Sequence, residues 1–353
     1  MKPDLRALPL ISLVIPAHRA GPLLDGCFSA VALLRPPPHE VIVAVDGACP
    51  QVLAAAAARG FQTISLPDAP GVSATRNAGA RCATGSVLAF LDSDVAPPPH
   101  FIAQAHQILA QNPQAQAAFG SYDAHPAAPS LVSRYRNLLH HHTHQRGQRE
   151  AQTFWAGCGL CDAATFQAIG GFDESYRQPS IEDIELGYRL RRAGHRIALD
   201  PSWQVRHLKA WRLSDLILTD FFCRALPWTL LLLREGRLDN DLNLDTASRL
   251  SAALCLLILA SLLLAPWFPL AGLSALVGAA ALLFLNRAFY GFLRQRGGLA
   301  FAAAAIPLHA LYFLTAATGY AVGWSLCQAR RGRRHFAHHR RKPGTPAAEG
   351  AGK

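Results

Sequence analysis

The chain lacks a cysteine framework. Its eight cysteines fall in apolar and mixed segments without regular spacing, which argues against a disulfide-built secreted scaffold and fits reduced intracellular thiols. Cys158 and Cys161 form a C-x-x-C with no second pair, so a structural zinc site is short of ligands and a packed pair of small residues is the simpler account. No export signal is expected either: the apolar run at residues 8–15 is too short to span a bilayer and is followed by Pro16, His18 and Arg19. That run reads as a first strand. Lysine is scarce, so the net charge of +11 comes almost entirely from arginine. No aromatic RNA-binding signature accompanies it. Much of it collects at 330–342, beside an apolar region, where anionic lipid headgroups fit better than nucleic acid.

What is present changes character near Arg249: mixed composition before, mostly apolar after. The expected organisation is a globular domain at 1–210, an amphipathic helix and linker at 211–248, two or three membrane-spanning helices at 249–327, and a basic, disordered tail at 328–353. In the first part, apolar runs alternate with helix-like spacing. Strands are expected at 11–17, 41–45 and 61–66, and helices at 23–34 and 52–59 and from Gly71 to Gly85. This is the pattern of a mainly parallel sheet covered by helices.

The run Val87-Leu88-Ala89-Phe90-Leu91-Asp92-Ser93-Asp94 drives a buried strand into two carboxylates one residue apart. On alternating pleat positions both would point the same way, at the strand edge where α/β sheets bind ligands, and hard oxygen donors there suit Mg²⁺ or Mn²⁺ carrying a diphosphate. For an isolated D-x-D the alternative is an Asp-rich turn before Pro97-Pro98-Pro99.

The order I-P-A-H, V-D-G, G-V-S-A-T-R-N-A-G and L-D-S-D resembles the nucleotide-sugar half of family 2 glycosyltransferases. The resemblance implies a GT-A fold: α/β, Rossmann-like, with a mixed, mainly parallel sheet and flanking helices. It implies donor contacts at Pro16, Asp46, Arg76, Asp92 and Ser93, with Asp46 at the base, Arg76 near base and phosphates, and Asp92 near the ribose. It makes Asp94 the metal ligand, with Asp92 and His207 as possible partners. His18 and Val45 depart from the family's usual tyrosine and first aspartate, which leaves the base open between uridine and guanosine. Taken alone, Asp46-Gly47 is equally a plain turn and Arg76 equally a solvated helix charge.

The segments F-W-A-G-C-G and G-G-F-D-E resemble the acceptor side of the same family, which places Trp155, Gly157 and Gly159 there. Downstream, residues 180–194 have the spacing of a helix capped by Ser180 and stopped by Gly194. The pair Glu182-Asp183 matches the family's catalytic acidic motif, with Asp183 as general base. A structural capping role for Asp183 competes, and the helix dipole is expected to hold it deprotonated. The histidines at 140, 141, 142 and 144 read as a solvated loop near the acceptor, since consecutive histidines cannot all face one ion.

Residues 211–234 mix aromatics and leucines with Arg212, Asp215, Asp220, Arg224 and Arg234, which fits a helix lying in the membrane interface. Arg224 and Trp228 are similar to part of the Q-x-x-R-W segment of processive polysaccharide synthases. The spacing differs and the glutamine is absent, which argues against a polymer-exporting enzyme. Apolar stretches follow at 251–267, 269–285 and 299–324, and Arg287, Arg294 and Arg296 mark the second loop as cytoplasmic.

The resulting expectation is a transferase on the cytoplasmic face of the inner membrane. It would move a sugar from a UDP- or GDP-linked donor to a lipid or polyprenyl-linked acceptor, with inversion and divalent-metal assistance. The competing expectation is a catalytically silent membrane scaffold or lipid-binding protein that retains the fold. A transporter is disfavoured, because the spans lack charges at their centres.

Overall fold

The computed structural model describes residues 8–236 and 238–340, with 330–340 as helical backbone alone. Its strands are β1 (Ile11–Ala17), β2 (Glu40–Asp46), β3 (Gln62–Leu66), β4 (Val87–Leu91), β5 (Val95–Ala96), β6 (Ala115–Tyr122), β7 (Glu150–Ala151), β8 (Cys158–Asp162) and β9 (Arg196–His207). The helices that alternate with them are α1 (Pro22–Ala32), α2 (Pro50–Ala57), α3 (Val72–Cys82), α4 (Phe101–Gln111), α5 (Leu131–Arg146), α6 (Ala163–Ala168) and α7 (Glu182–Arg192). After β9 the chain is helical: α8 (Leu213–Leu218), α9 (Leu226–Glu235), α10 (Thr246–Leu264), α11 (Pro269–Leu285) and α12 (Arg287–Arg340).

The sheet runs β3-β2-β1-β4-β8-β6-β9-β5, with β7 paired to β9. β1 to β4 are parallel, β8 is antiparallel to both β4 and β6, and β6 runs parallel to β9. The period of two divides the core: Leu13 and Ile15 pack with Leu24 and Phe28 of α1 on one face, Val14, Leu88 and Phe90 with Phe166, Phe172 and Leu186 on the other. Phe90 sits 5.2 Å from Phe166 and 5.1 Å from Phe172, ring centroid to centroid. Truncating such a buried ring costs about 3–5 kcal/mol, so this junction fixes where β4 ends relative to the segment before α7.

The histidine-rich stretch is not a loop. It lies in α5, whose N-terminus is capped by the Ser130 side chain accepting from the Ser133 N–H. His141 and His144 are buried, which is tolerable because each imidazole Nδ1 meets a β6 carbonyl, Tyr122 O at 2.7 Å and Gly120 O at 2.9 Å. Burial holds His144 neutral, with its pKa lowered to about 4.

Residues 213–235 form one continuous helix, in which a π-helical stretch (Thr219–Ala225) joins α8 to α9. This helix, α10 and the 287–329 part of α12 are each long and apolar enough to cross a membrane, whereas α11 is shorter. α10, α11 and the turn between them present Leu262, Leu263, Trp267, Phe268, Leu270 and Leu276 uncovered, an apolar surface suited to lipid rather than water. The arginines at 287, 294 and 296 lie in a helix, not in a loop. Phe289 and Leu293 of that helix are buried against Tyr135 of α5, and α12 breaks at Gly298, where φ is +81°. The basic segment is thereby docked onto α5 of the sheet domain. Instead of starting a disordered tail at 328, the chain continues α12 to Arg340, and residues 341–353 lie outside the described residues.

Candidate active site

β4 stops at Leu91, so Asp92, Ser93 and Asp94 form a turn at the carboxyl edge rather than alternating pleat positions. Their carboxylates consequently take different partners. Asp92 Oδ1 lies 2.7 Å from Arg76 Nη2, and Asp94 Oδ2 lies 3.6 Å from His207 Nε2. The environments also push the two apart in acidity. Burial raises Asp92, with Arg76 opposing and Asp94 adding. Burial pushes Asp94 the same way, but the His207 hydrogen bond and charge override it and Asp94 ends below the usual range.

Arg76 is no solvated helix charge. It is 4% exposed on α3, with its guanidinium 5.4 Å from the Phe172 ring centroid. Its second Nη donates to Glu182 Oε1 at 2.7 Å, so one cation joins the D-x-D turn to the start of α7. The other Glu182 oxygen accepts from the Ser180 N–H at 2.7 Å. Both oxygens of Glu182 are therefore committed inside the protein.

Asp183 is held differently. Its Oδ2 accepts from the Ala156 N–H at 3.1 Å and its Oδ1 from the Ile184 N–H at 2.8 Å. The expected cap is absent: α7 starts at Glu182, its N-cap is Ile181, and the Ser180 hydroxyl instead donates to the Cys223 carbonyl at 2.8 Å in the π-helical stretch. The dipole does not decide the acidity of Asp183 either. Burial comes first and the charge of Glu182 second, with Arg76 and the two N–H donors opposing, and the carboxyl is pushed up to about 7. A carboxyl titrating near neutrality is suited to taking and releasing a proton.

On the other wall, Asp46 Oδ1 accepts from the Gly71 N–H at 3.0 Å. Gly71 has φ +102°, and a side chain there would strike the Arg177 carbonyl, so only glycine lets the loop before α3 pass under the 174–180 segment.

These groups surround one cavity of about 1680 Å³. Its lining includes Pro16, Asp46, Arg76, Asp92, Ser93, Asp94, Trp155, Glu182, Asp183, His207, Arg224 and Trp228, and it continues between the C-terminal helices past Ala252, Leu256, Tyr312, Phe313, Ala316, Ala317 and Tyr320. Gly157 and Gly159 do not line it. A side chain at 157 would meet the Trp155 ring, and one at 159 the Phe154 ring, so these glycines seat the aromatics that do.

Among the described residues, no three His, Cys, Asp or Glu side chains converge into a metal cage. Asp94 and His207 still fit a divalent cation as a two-point anchor, a hard oxygen beside an imidazole, with diphosphate oxygens and water completing the shell. Asp92, turned toward Arg76, is not positioned as a third ligand by this side-chain arrangement.

The model for "Glycosyl transferase family 2" matches residues 12–171, which span β1 through β8 and the D-x-D turn. Residues 12–171 form a glycosyltransferase family 2 domain. The chain is 30% identical over 221 residues to a validoxylamine A glucosyltransferase of Streptomyces hygroscopicus subsp. limoneus, covering 53% of this chain and 49% of that one. It is 30% identical over 224 residues to a pre-mycofactocin glycosyltransferase of Mycobacterium tuberculosis, covering 59% and 44%. The chain thus spans about half the length of these curated relatives. Among solved structures, the mannosyltransferase PcManGT from Pyrobaculum calidifontis, in complex with GDP-Man and Mn²⁺, superposes with a TM-score of 0.54 at 16% identity, covering 90% of this chain and 89% of that one. That likeness supports the GT-A fold.

The glycosyltransferase domain also holds site residues that sequence reasoning passed over. Tyr122, at the end of β6, stacks on His207 at 4.3 Å with planes 10° apart, and also meets His140 at 4.2 Å. His140 in turn lies 4.6 Å from Trp155. No motif marks Tyr122. Its place follows from β6 and β9 running side by side, with Tyr122 paired to Val205.

Proposed function

We propose that this glycosyltransferase moves a sugar from a nucleoside-diphosphate donor to a hydroxyl of a lipid or lipid-linked acceptor at the cytoplasmic face of a membrane, with inversion at the anomeric carbon. The observation that carries this reading is the single cavity that joins the donor carboxylates Asp46, Asp92 and Asp94, the near-neutral carboxyl of Asp183, and the apolar wall formed by α10 and α12. A soluble acceptor would have no use for that wall.

In this reading Asp46 and Arg76 shape the donor subsite. Asp94 and His207 hold Mg²⁺ or Mn²⁺, which supplies charge for the departing nucleoside diphosphate. Asp183 takes the proton of the acceptor hydroxyl, and Glu182 is a positioning residue that keeps Arg76 and the start of α7 in place. Trp155, Arg224 and Trp228 face the acceptor. A nucleoside-diphosphate-linked donor is in keeping with the structural neighbour's GDP-Man, and divalent-metal use with its Mn²⁺; the choice between UDP and GDP is left to the test below. The basic helix at 287–296, docked beside the catalytic domain, supports placing that domain on the cytoplasmic side.

The test uses full-length protein in membrane vesicles, given UDP- and GDP-linked sugars with Mn²⁺ and lipid extract. Sugar appearing in the lipid fraction, and lost in Asp183→Asn, supports the proposal. Donor hydrolysis without lipid labelling rejects the lipid acceptor. No turnover of any donor favours the silent scaffold.

A further inference from the structure

The Arg76 guanidinium is committed to Asp92 and Glu182, at 2.7 Å each, and Asp94 and Asp183 line the same cavity. The proposed donor brings a diphosphate to this carboxylate-rich floor, where a cation already paired with two carboxylates has less to offer an incoming anion.

Of the other cations that line the cavity, Arg19, Arg177, Arg224, Arg249 and Lys209, it is Lys209 that stands beside the proposed metal anchor His207. It lines the cavity two residues after His207, and its neighbour Leu208 donates its N–H to the Asp94 carbonyl at 2.9 Å, which ties the segment to the D-x-D turn. The ammonium is held 4.2 Å from the ring centroid of Trp211. Trp211 is itself fixed, 8% exposed and anchored by its backbone N–H to the Ser133 hydroxyl of α5 at 2.8 Å. Among the described residues no carboxylate forms an ion pair with Lys209, although its positive charge reaches Asp94 and helps to lower that group. A cation on an aromatic face, without a salt-bridge partner, keeps its donors free for an incoming anion.

We infer that Lys209 is a diphosphate-binding residue, holding the phosphate oxygens of the donor and of the nucleoside diphosphate that departs. This rests on the proposed donor class and adds to it a cation that no carboxylate ties down. Trp211 acts through Lys209 as a positioning residue, presenting the ammonium at one height above the sheet edge.

The experiment measures binding of UDP, GDP, UMP and GMP to the full chain in detergent, with Mn²⁺ and separately with EDTA, for wild type, Lys209→Met and Lys209→Arg. Lys209→Met is expected to weaken the diphosphate that wild type binds by roughly tenfold or more, in both metal conditions, while the matching monophosphate changes by less than about threefold. Lys209→Arg should recover most of the loss, and unchanged thermal melting of both variants excludes misfolding. Equal weakening of di- and monophosphate, or no weakening, overturns the assignment of Lys209. Wild type that binds neither diphosphate overturns the donor reading itself.

Discussion

The Asp183 carboxylate receives the Ala156 N–H at 3.1 Å, so the proposed base at the start of α7 is locked to the residue that follows Trp155 on the acceptor wall. Asp183→Asn keeps the shape but can no longer accept a proton. Transfer is expected to slow by roughly 10²-fold or more with donor affinity nearly unchanged, as read by initial rates and nucleotide titration.

Because burial lifts Asp183 to about 7, wild-type transfer should rise through neutral pH as this carboxyl ionises. The stability effect has the opposite sign. A carboxyl whose folded pKa lies above its unfolded value binds more protons when folded, so its contribution falls as pH rises from about 4 to about 7 and stays low above that. Asp183→Asn should therefore melt higher than wild type at pH 8 and close to it at pH 4, where neither side chain is charged. A melting difference that does not change between these pH values refutes the burial account.

Arg76 is expected to be essential for folding as well as for binding. Arg76→Met leaves Glu182 buried and uncompensated and frees Asp92, at a cost of about 3–5 kcal/mol. Chemical denaturation checks it. In Arg76→Met/Glu182→Gln much of that loss should return without activity, because Asp92 would still lack its partner.

The pair Asp94 and His207 predicts a graded metal response. EDTA should abolish transfer and added Mn²⁺ restore it. His207→Ala should shift the Mn²⁺ requirement upward with maximal rate largely kept, and Asp94→Ala should not be rescued at any practical Mn²⁺ concentration. Titrations of rate against Mn²⁺ distinguish the two.

The apolar branch of the cavity offers a test that leaves the donor subsite alone. Ala316→Trp and Ala317→Trp place a large ring between α10 and α12. Lipid labelling should fall at least tenfold while nucleotide binding stays within about twofold, because overpacking here acts locally.

Much of the domain was legible from residue order. Apolar runs ending in Pro16, Asp46 and Asp92 gave strands whose carboxyl ends face one edge, and the observed sheet agrees. What stayed hidden was every contact made across the chain. Arg76 could not be told from a surface charge, since its partners Asp92 and Glu182 lie 16 and 106 residues away. The α5 histidines looked like a polar loop because their carbonyl partners on β6 are invisible in sequence. Asp183 was expected to be acidic from its helix position, and burial reversed that. Tyr122 and Lys209 carry no motif at all.

Gly319 and Gly323 of α12 press against Ala225 and Thr229, where an added Cβ would come within 2.5 Å and 2.8 Å of those side chains. This close seam lets the last helix serve as a wall of the chamber in which Asp183 sits. A fragment ending before residue 249 would thus be an opened vessel, keeping the proposed donor carboxylates yet missing the side against which the proposed acceptor would lie.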